Sequence, residues 1–234
     1  MLSGRPDGPV EVPAAVVRLA GGADVEAVWA NELGGLTFRA GDRYVKWSPI
    51  DLTPEAERLA WAAAWTPVPV VLDQGADDGM SWLVTRAIPA RSAVDGRWLD
   101  EPATAARAIG AGLRALHDAM PAADCPYDWG VAARVARAGA PSSFVADAPP
   151  VDVPVVCHGD ACAPNTLLAD DGTWAAHVDL GSLGTGDRWA DLAVAAWSTE
   201  WNYGAGFTAL VYDAYGVEPD EERIAFYREL WNAT

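Results

Sequence analysis

The sequence predicts an α+β chain of two lobes: an N-terminal antiparallel sheet with one helix over residues 1–88, and a mostly helical lobe with an inserted hairpin over residues 89–234. Three observations carry this. Short runs rich in β-branched and aromatic residues fill the stretch before Ile88. Helical periodicity dominates beyond Pro102. A run of strands and loops from Val153 to Gly186 interrupts the helices.

The strands come first. Residues 24–31, 35–39 and 43–47 are separated by Gly34-Gly35 and by Ala40-Gly41-Asp42, which reads as an antiparallel meander with Lys46 near the end of its third strand. Thr53 followed by Pro54 and Glu55 predicts a helix start with a hydroxyl cap, running to about Trp65, with Leu59, Trp61 and Ala62 on its buried face. Strands at 68–73 and 80–88 follow, joined by a turn over Gly75–Gly79, and Pro89 ends the sheet. Helices are then expected at 102–119, near 131–138, and at 187–201, 206–215 and 220–231. The Pro-rich stretch 139–154 lacks periodicity and reads as a flexible connector.

The formal charge of −17 argues against binding to nucleic acid or to an anionic membrane, since both repel an acidic protein at long range. It serves solubility or draws in a cationic partner. No run approaches the roughly 18 apolar residues of a membrane span, and the first thirteen residues lack the layout of a secretory signal. Cys125, Cys157 and Cys162 are too few for a disulfide framework, so reduced thiols in a cytoplasmic protein are expected. The chain has fifteen arginines and one lysine, Lys46. An ammonium is a compact point charge that fits between phosphate oxygens where a planar guanidinium fork does not.

Chemistry concentrates in residues 155–181. An apolar run ends in His158-Gly159-Asp160, a loop leads to Asn165, and a strand beyond the Asp170-Asp171-Gly172 turn ends at Asp179. A hairpin there would present Asp160, Asn165 and Asp179 together. Hard oxygen donors of this kind suit magnesium, which takes one or two carboxylates and completes its shell with water and phosphate. Phosphoryl transfer needs a positioned hydroxyl, a carboxylate to take its proton, and cations to offset phosphate charge.

The pattern H-G-D-x-x-x-x-N followed by D-x-G, with Lys46 on an early strand and Glu55 opening the next helix, resembles the aminoglycoside phosphotransferases, relatives of the protein kinases. GLRALHD at 112–118, CPYDW at 125–129, HGDACAPN at 158–165 and GDRWADLA at 186–193 resemble the 3'-phosphorylating branch, in order and in spacing. The resemblance implies a bilobal protein-kinase-like fold. It implies Asp160 as base toward an acceptor hydroxyl and Asn165 and Asp179 on Mg2+. Lys46 would meet the α- and β-phosphates of ATP, with GTP as the alternative donor, and would be oriented by Glu55, or failing that by Glu57. Ala87, Ile88 and Pro89 would form the hinge that meets adenine. The acceptor would be an aminoglycoside or related amino sugar, a small cation; another hydroxylated metabolite, or a binding module without turnover, are the alternatives.

Other readings stay local. His158 at a strand end reads as a packing and hydrogen-bonding residue. Asp187 and Asp191 read as helix caps and braces. Cys157, His158, Cys162 and His177 have no zinc-ligand spacing, and adjacent strand residues point to opposite faces. Trp129 and Trp201 are candidates to line a pocket, and Asp147, Asp152, Glu200 and Glu229 to receive amines. Departures from the family lie at Asp24 in the nucleotide loop and on the acceptor side. There Ser182 stands where its aminoglycoside-modifying members have Arg, Trp197-Ser198 where they have Arg-Asp, and Trp231-Asn232-Ala233-Thr234 replaces an acidic aromatic tail.

Overall fold

The computed structural model describes residues 4–6, 8–31 and 33–234; residues 1–3 and 7, part of the stretch read above for a secretory signal, lie outside it. The chain divides into two compact units, residues 1–64 with 69–88, and residues 65–68 with 89–234.

The first unit contains α1 (Ala14–Leu19), β1 (Val25–Ala30), β2 (Leu36–Ala40), β3 (Arg43–Ser48), α2 (Thr53–Ala62), β4 (Val71–Asp77) and β5 (Met80–Arg86). The sheet order is β1-β2-β3-β5-β4, all antiparallel. The meander expected over the first three strands is present; beyond it α2 intervenes, and β5 rather than β4 pairs with β3. Alternation on the strands buries Phe38, Val45 and Val84, and α1, a helix without a sequence expectation, adds Val16 to the same cluster. Since Val45 faces that cluster, its neighbour Lys46 projects from the opposite face.

Several boundaries differ from expectation: α2 ends at Ala62 rather than near Trp65, and β4 begins at Val71 rather than at residue 68. Thr53 is the first helical residue and not the cap; its N–H donates to Asp51 Oδ1 at 2.9 Å, and Leu52 holds the cap position without a side-chain bond. The β4–β5 turn contracts to Asp78 and Gly79, both at positive φ, the two-residue turn whose twist matches an antiparallel pair.

The second unit contains β6 (Arg91–Ser92), α3 (Gly96–Leu99), α4 (Pro102–Ala119), α5 (Val131–Ala138), α6 (Ser143–Ala146), β7 (Pro154–Cys157), β8 (Thr166–Leu168), β9 (Trp174–His177), β10 (Gly184–Asp187), α7 (Trp189–Tyr203), α8 (Thr208–Tyr215) and α9 (Glu221–Ala233). Its core lies among α4, α7, α8 and α9, where small faces such as Ala105, Ala106, Ala193 and Ala196 allow close approach. β7 pairs with β10, and β8 pairs with both β6 and β9. The pairing of Asp187 with Pro154 keeps residues 184–187 extended, so α7 starts at Trp189.

The connector 139–154 is more ordered than its composition suggests. It holds the turn of helix α6, Arg223 Nη2 donates to the Pro150 carbonyl at 2.7 Å, and Asp152 Oδ2 accepts from Arg188 Nε at 2.8 Å and Trp189 Nε1 at 2.9 Å. Among the described residues no helix is long and apolar enough to cross a membrane.

Candidate active site

Asp160 follows β7, whereas Asn165 and Asp179 flank the β8–β9 hairpin. The three thus come from the ends of two separate strand pairs rather than from one hairpin. What joins them is a set of part-buried contacts within the second unit. Asn165 Nδ2 donates to the Asp160 carbonyl at 2.9 Å, and the Val178 N–H donates to the Asn165 carbonyl at 3.0 Å. His158 Nε2 lies 3.0 Å from the Val178 carbonyl, and its Nδ1 accepts the Asp160 N–H at 3.2 Å. This pattern assigns the proton to Nε2 and makes His158 a strut between the two strand ends.

The turn at Gly159 has φ of 86°, and a Cβ there would fall inside the Ser182 carbonyl. Only glycine lets the Asp160 loop and the loop after Asp179 lie backbone to backbone. Asp179 itself sits at φ 64°, a left-handed conformation rare for a residue with a side chain, and such strain collects at functional positions.

Beneath this loop runs a buried relay that sequence reading reduced to helix bracing. Asp191, on α7 and fully buried, accepts the N–H groups of His158 at 2.6 Å and Gly159 at 3.0 Å. His117 Nε2 lies 3.0 Å from the same carboxylate, and Tyr215 Oη lies 2.9 Å from His117 Nδ1. Burial pushes the Asp191 carboxyl up, but the His117 bond, with the nearby His158 and the Gly159 N–H, outweighs it and holds the group below the ordinary carboxylate range. His117 stood in the GLRALHD segment; its tie to Asp191 is long-range and has no local signature.

Asp160 is raised above the ordinary carboxylate range, first by burial and then by the nearby Asp179 charge, against the lowering effects of His158, Cys162 and Asn165. Its Oδ1 is shielded from solvent and has no hydrogen-bond partner. Two carboxylates that repel one another beside a neutral amide form a donor set that a divalent cation relieves. The chemistry of this donor set fits a magnesium ion, which Asn165 and Asp179 could hold. Among the described residues no group of three or more His, Cys, Asp and Glu forms a metal cluster, so the Cys157–His177 set does not assemble one.

In the first unit, Lys46 Nζ lies 2.6 Å from Glu55 Oε1, with Glu55 buried in the first turn of α2, whereas Glu57 is exposed. Ala87 and Ile88 end this unit and Pro89 opens a segment of the second. The Ala87 N–H is committed to the Asp42 carbonyl at 2.8 Å and proline has none, so Ile88 supplies the segment's remaining N–H. Asp24, the residue just before β1, is exposed.

A cleft of about 190 Å³ opens beside Asp160, walled by Trp129, Arg134, Gly159, Ser182, Trp231 and Thr234. Trp129 thus lines it, while Trp201 is half-exposed and packs on Trp197 instead. Of the four acids proposed to receive amines, Asp152 is already engaged by Arg188 and Trp189, and Asp147, Glu200 and Glu229 are exposed and absent from the cleft wall. Trp231 and Thr234, flagged in sequence as an acceptor-side departure, do reach the cleft, whereas Arg134 carried no sequence signal of its own and arrives there through the packing of α5.

This chain belongs to the phosphotransferase enzyme family, whose model matches residues 15–139 and 131–227. Its members transfer phosphate to hydroxyl groups. A streptomycin 3''-kinase of Streptomyces griseus is 36% identical over 89% of this chain and 92% of its own length. The crystal structure of an aminoglycoside 3'-phosphotransferase of type VIII superposes with a TM-score of 0.78 at 27% identity, covering 94% of this chain and 98% of that one. An aminoglycoside phosphotransferase of Streptomyces rimosus, solved with ADP and streptomycin, covers 94% of this chain and 96% of its own at a TM-score of 0.71 and 26% identity.

Proposed function

We propose that this chain transfers the γ-phosphate of ATP to a hydroxyl of an aminoglycoside or related amino-sugar antibiotic. The observation that carries the reading is the part-buried pair Asp160 and Asp179, joined through Asn165 and the His158 strut. Asp160, raised and with Oδ1 unpartnered, accepts the proton of the acceptor hydroxyl as its oxygen attacks the γ-phosphorus. The bond to the β-phosphate oxygen breaks and ADP leaves. Asn165 and Asp179 hold magnesium, which when bound neutralises charge on the phosphate oxygens. Lys46, oriented by Glu55, meets the α- and β-phosphates, and the Ile88 N–H in the Ala87–Pro89 hinge meets the adenine edge. The family membership, and relatives named for streptomycin and for aminoglycosides, support this acceptor class.

Release of ADP from Mg-ATP, measured with a panel of aminoglycosides, tests the reading. Turnover with at least one of them is expected. ADP release with none of them sinks the antibiotic half of the proposal.

A further inference from the structure

The three cysteines of the chain are engaged differently. Cys157, buried on β7, donates to the Asp187 carbonyl at 3.3 Å, and Cys125 donates to the Tyr127 carbonyl at 3.6 Å. Cys162, two residues after the proposed base, hydrogen-bonds instead to the side chains of Asp160 and Ser198.

The backbone around this thiol is fixed. The Cys162 carbonyl accepts the Asn165 N–H at 3.0 Å, and the Ala163 N–H donates to Ser198 Oγ at 2.8 Å. Ser198 is fully buried on α7, where Asn202 Nδ2 donates to its Oγ at 3.2 Å and to its carbonyl at 2.8 Å. A chain of hydrogen bonds therefore runs from Asn202 through Ser198 to Cys162 and ends on the base.

Asp160 needs such a fixed point, because a carboxylate turns about χ2 as a broad two-fold rotor. Its Oδ1 has no hydrogen-bond partner, so the bonds from Cys162 and from the Asn165 side chain fall on Oδ2. A thiol is protonated at neutral pH and is a weak donor. It holds an anionic oxygen without bringing a cation that would quench the base.

We propose that Cys162 is a positioning residue for phosphotransfer: held by Ser198, its S–H donates to Oδ2 of Asp160 and leaves Oδ1 to take the proton of the acceptor hydroxyl. The thiol keeps its own proton throughout. The proposal rests on the phosphotransfer reading above. Because the role is that of a hydrogen-bond donor, a hydroxyl at position 162 can stand in for the thiol and a methyl group cannot.

Two measurements on the full chain test this. In infrared spectra the S–H band of Cys162, assigned by its loss in Cys162→Ser, should lie below those of the two thiols bonded to carbonyls, and Asp160→Asn, a neutral and weaker acceptor, should move it up. In ADP release from Mg-ATP, with streptomycin and a panel of other aminoglycosides as acceptors, Cys162→Ala should lower kcat about tenfold with KM unchanged, and Cys162→Ser should recover most of the loss. A merely structural role would lower the denaturant midpoint without this split between kcat and KM. A Cys162 band that Asp160→Asn leaves in place overturns the proposal whatever the turnover, as does a Cys162→Ala kcat equal to that of the parent. Should Cys162→Ala fail to fold, the infrared comparison decides. A shifted band in a chain that turns over no aminoglycoside contradicts the phosphotransfer reading, and the positioning role with it, while the thiol–carboxylate bond stands.

Discussion

Asp191 holds the backbone of Gly159 through a 3.0 Å N–H bond, one residue before the proposed base, while its other oxygen takes the His158 N–H and faces His117. Position of the Asp160 loop is thereby set from α7 and α4, deep in the second unit, rather than by the loop's own sequence. Removing the carboxylate would orphan two buried N–H groups and an imidazole. Asp191→Ala is expected to cost about 3–5 kcal/mol, read as a lowered denaturant midpoint, and to depress kcat in whatever protein still folds. A midpoint within 1 kcal/mol of the parent would show that the clamp does little.

The same relay and the buried His177 set a pH dependence. His177 lies well below the ordinary imidazole range because burial penalises its charge, and neither ring nitrogen has a hydrogen-bond partner. A depressed folded value means that the unfolded chain takes up the proton first, so stability present above the unfolded value of about 6.5 declines as pH falls below it. Asp191, also depressed, adds its loss only below about pH 4. Urea unfolding from pH 8 to pH 4 should show the first decline, and His177→Phe should flatten it. A parent curve that stays level down to pH 4 would contradict the assignment.

Gly159 and Gly79 offer a contrast between space and strain. Both have positive φ, but a Cβ on Gly79 meets open space, whereas one on Gly159 collides with the Ser182 backbone. Gly79→Ala is expected to cost about 1 kcal/mol, and Gly159→Ala several-fold more, with loss of turnover. Similar midpoints for the two variants would show that the two loops do not need their close approach.

Lys46 stands 2.6 Å from the buried Glu55. With its single point charge on the proposed phosphate position, Lys46→Ala should raise KM for ATP by more than about tenfold and lower kcat. Lys46→Arg should recover little, because a planar fork does not replace an ammonium there. Unchanged ATP kinetics in either variant would remove Lys46 from the nucleotide site.

Much of the fold was legible because it is local. The helices Pro102–Ala119 and Val131–Ala138 fall where periodicity placed them, and β1 to β3 follow their turn residues. What sequence did not show depends on contacts far along the chain. The end of the β7–β10 pairing, not a helix signal, decides that α7 begins at Trp189. Arg188, Trp189 and Arg223 order a connector that looked flexible. At the site, Asp160, Asn165 and Asp179 stood out by spacing, but the Asp191–His117–Tyr215 relay joins residues up to 98 positions apart. Arg134 looks like any surface arginine of an amphipathic helix until packing buries it against Trp129.

The base assignment is the centre of the account, and one measurement meets it directly: ADP release by the parent chain and by Asp160→Asn, each with Mg-ATP and an accepted aminoglycoside, with acceptor affinity measured by calorimetry. The account predicts a loss of about 10²–10⁴-fold in kcat with acceptor binding retained, and no turnover in the parent once EDTA removes the metal. Turnover by Asp160→Asn within a few-fold of the parent would contradict it.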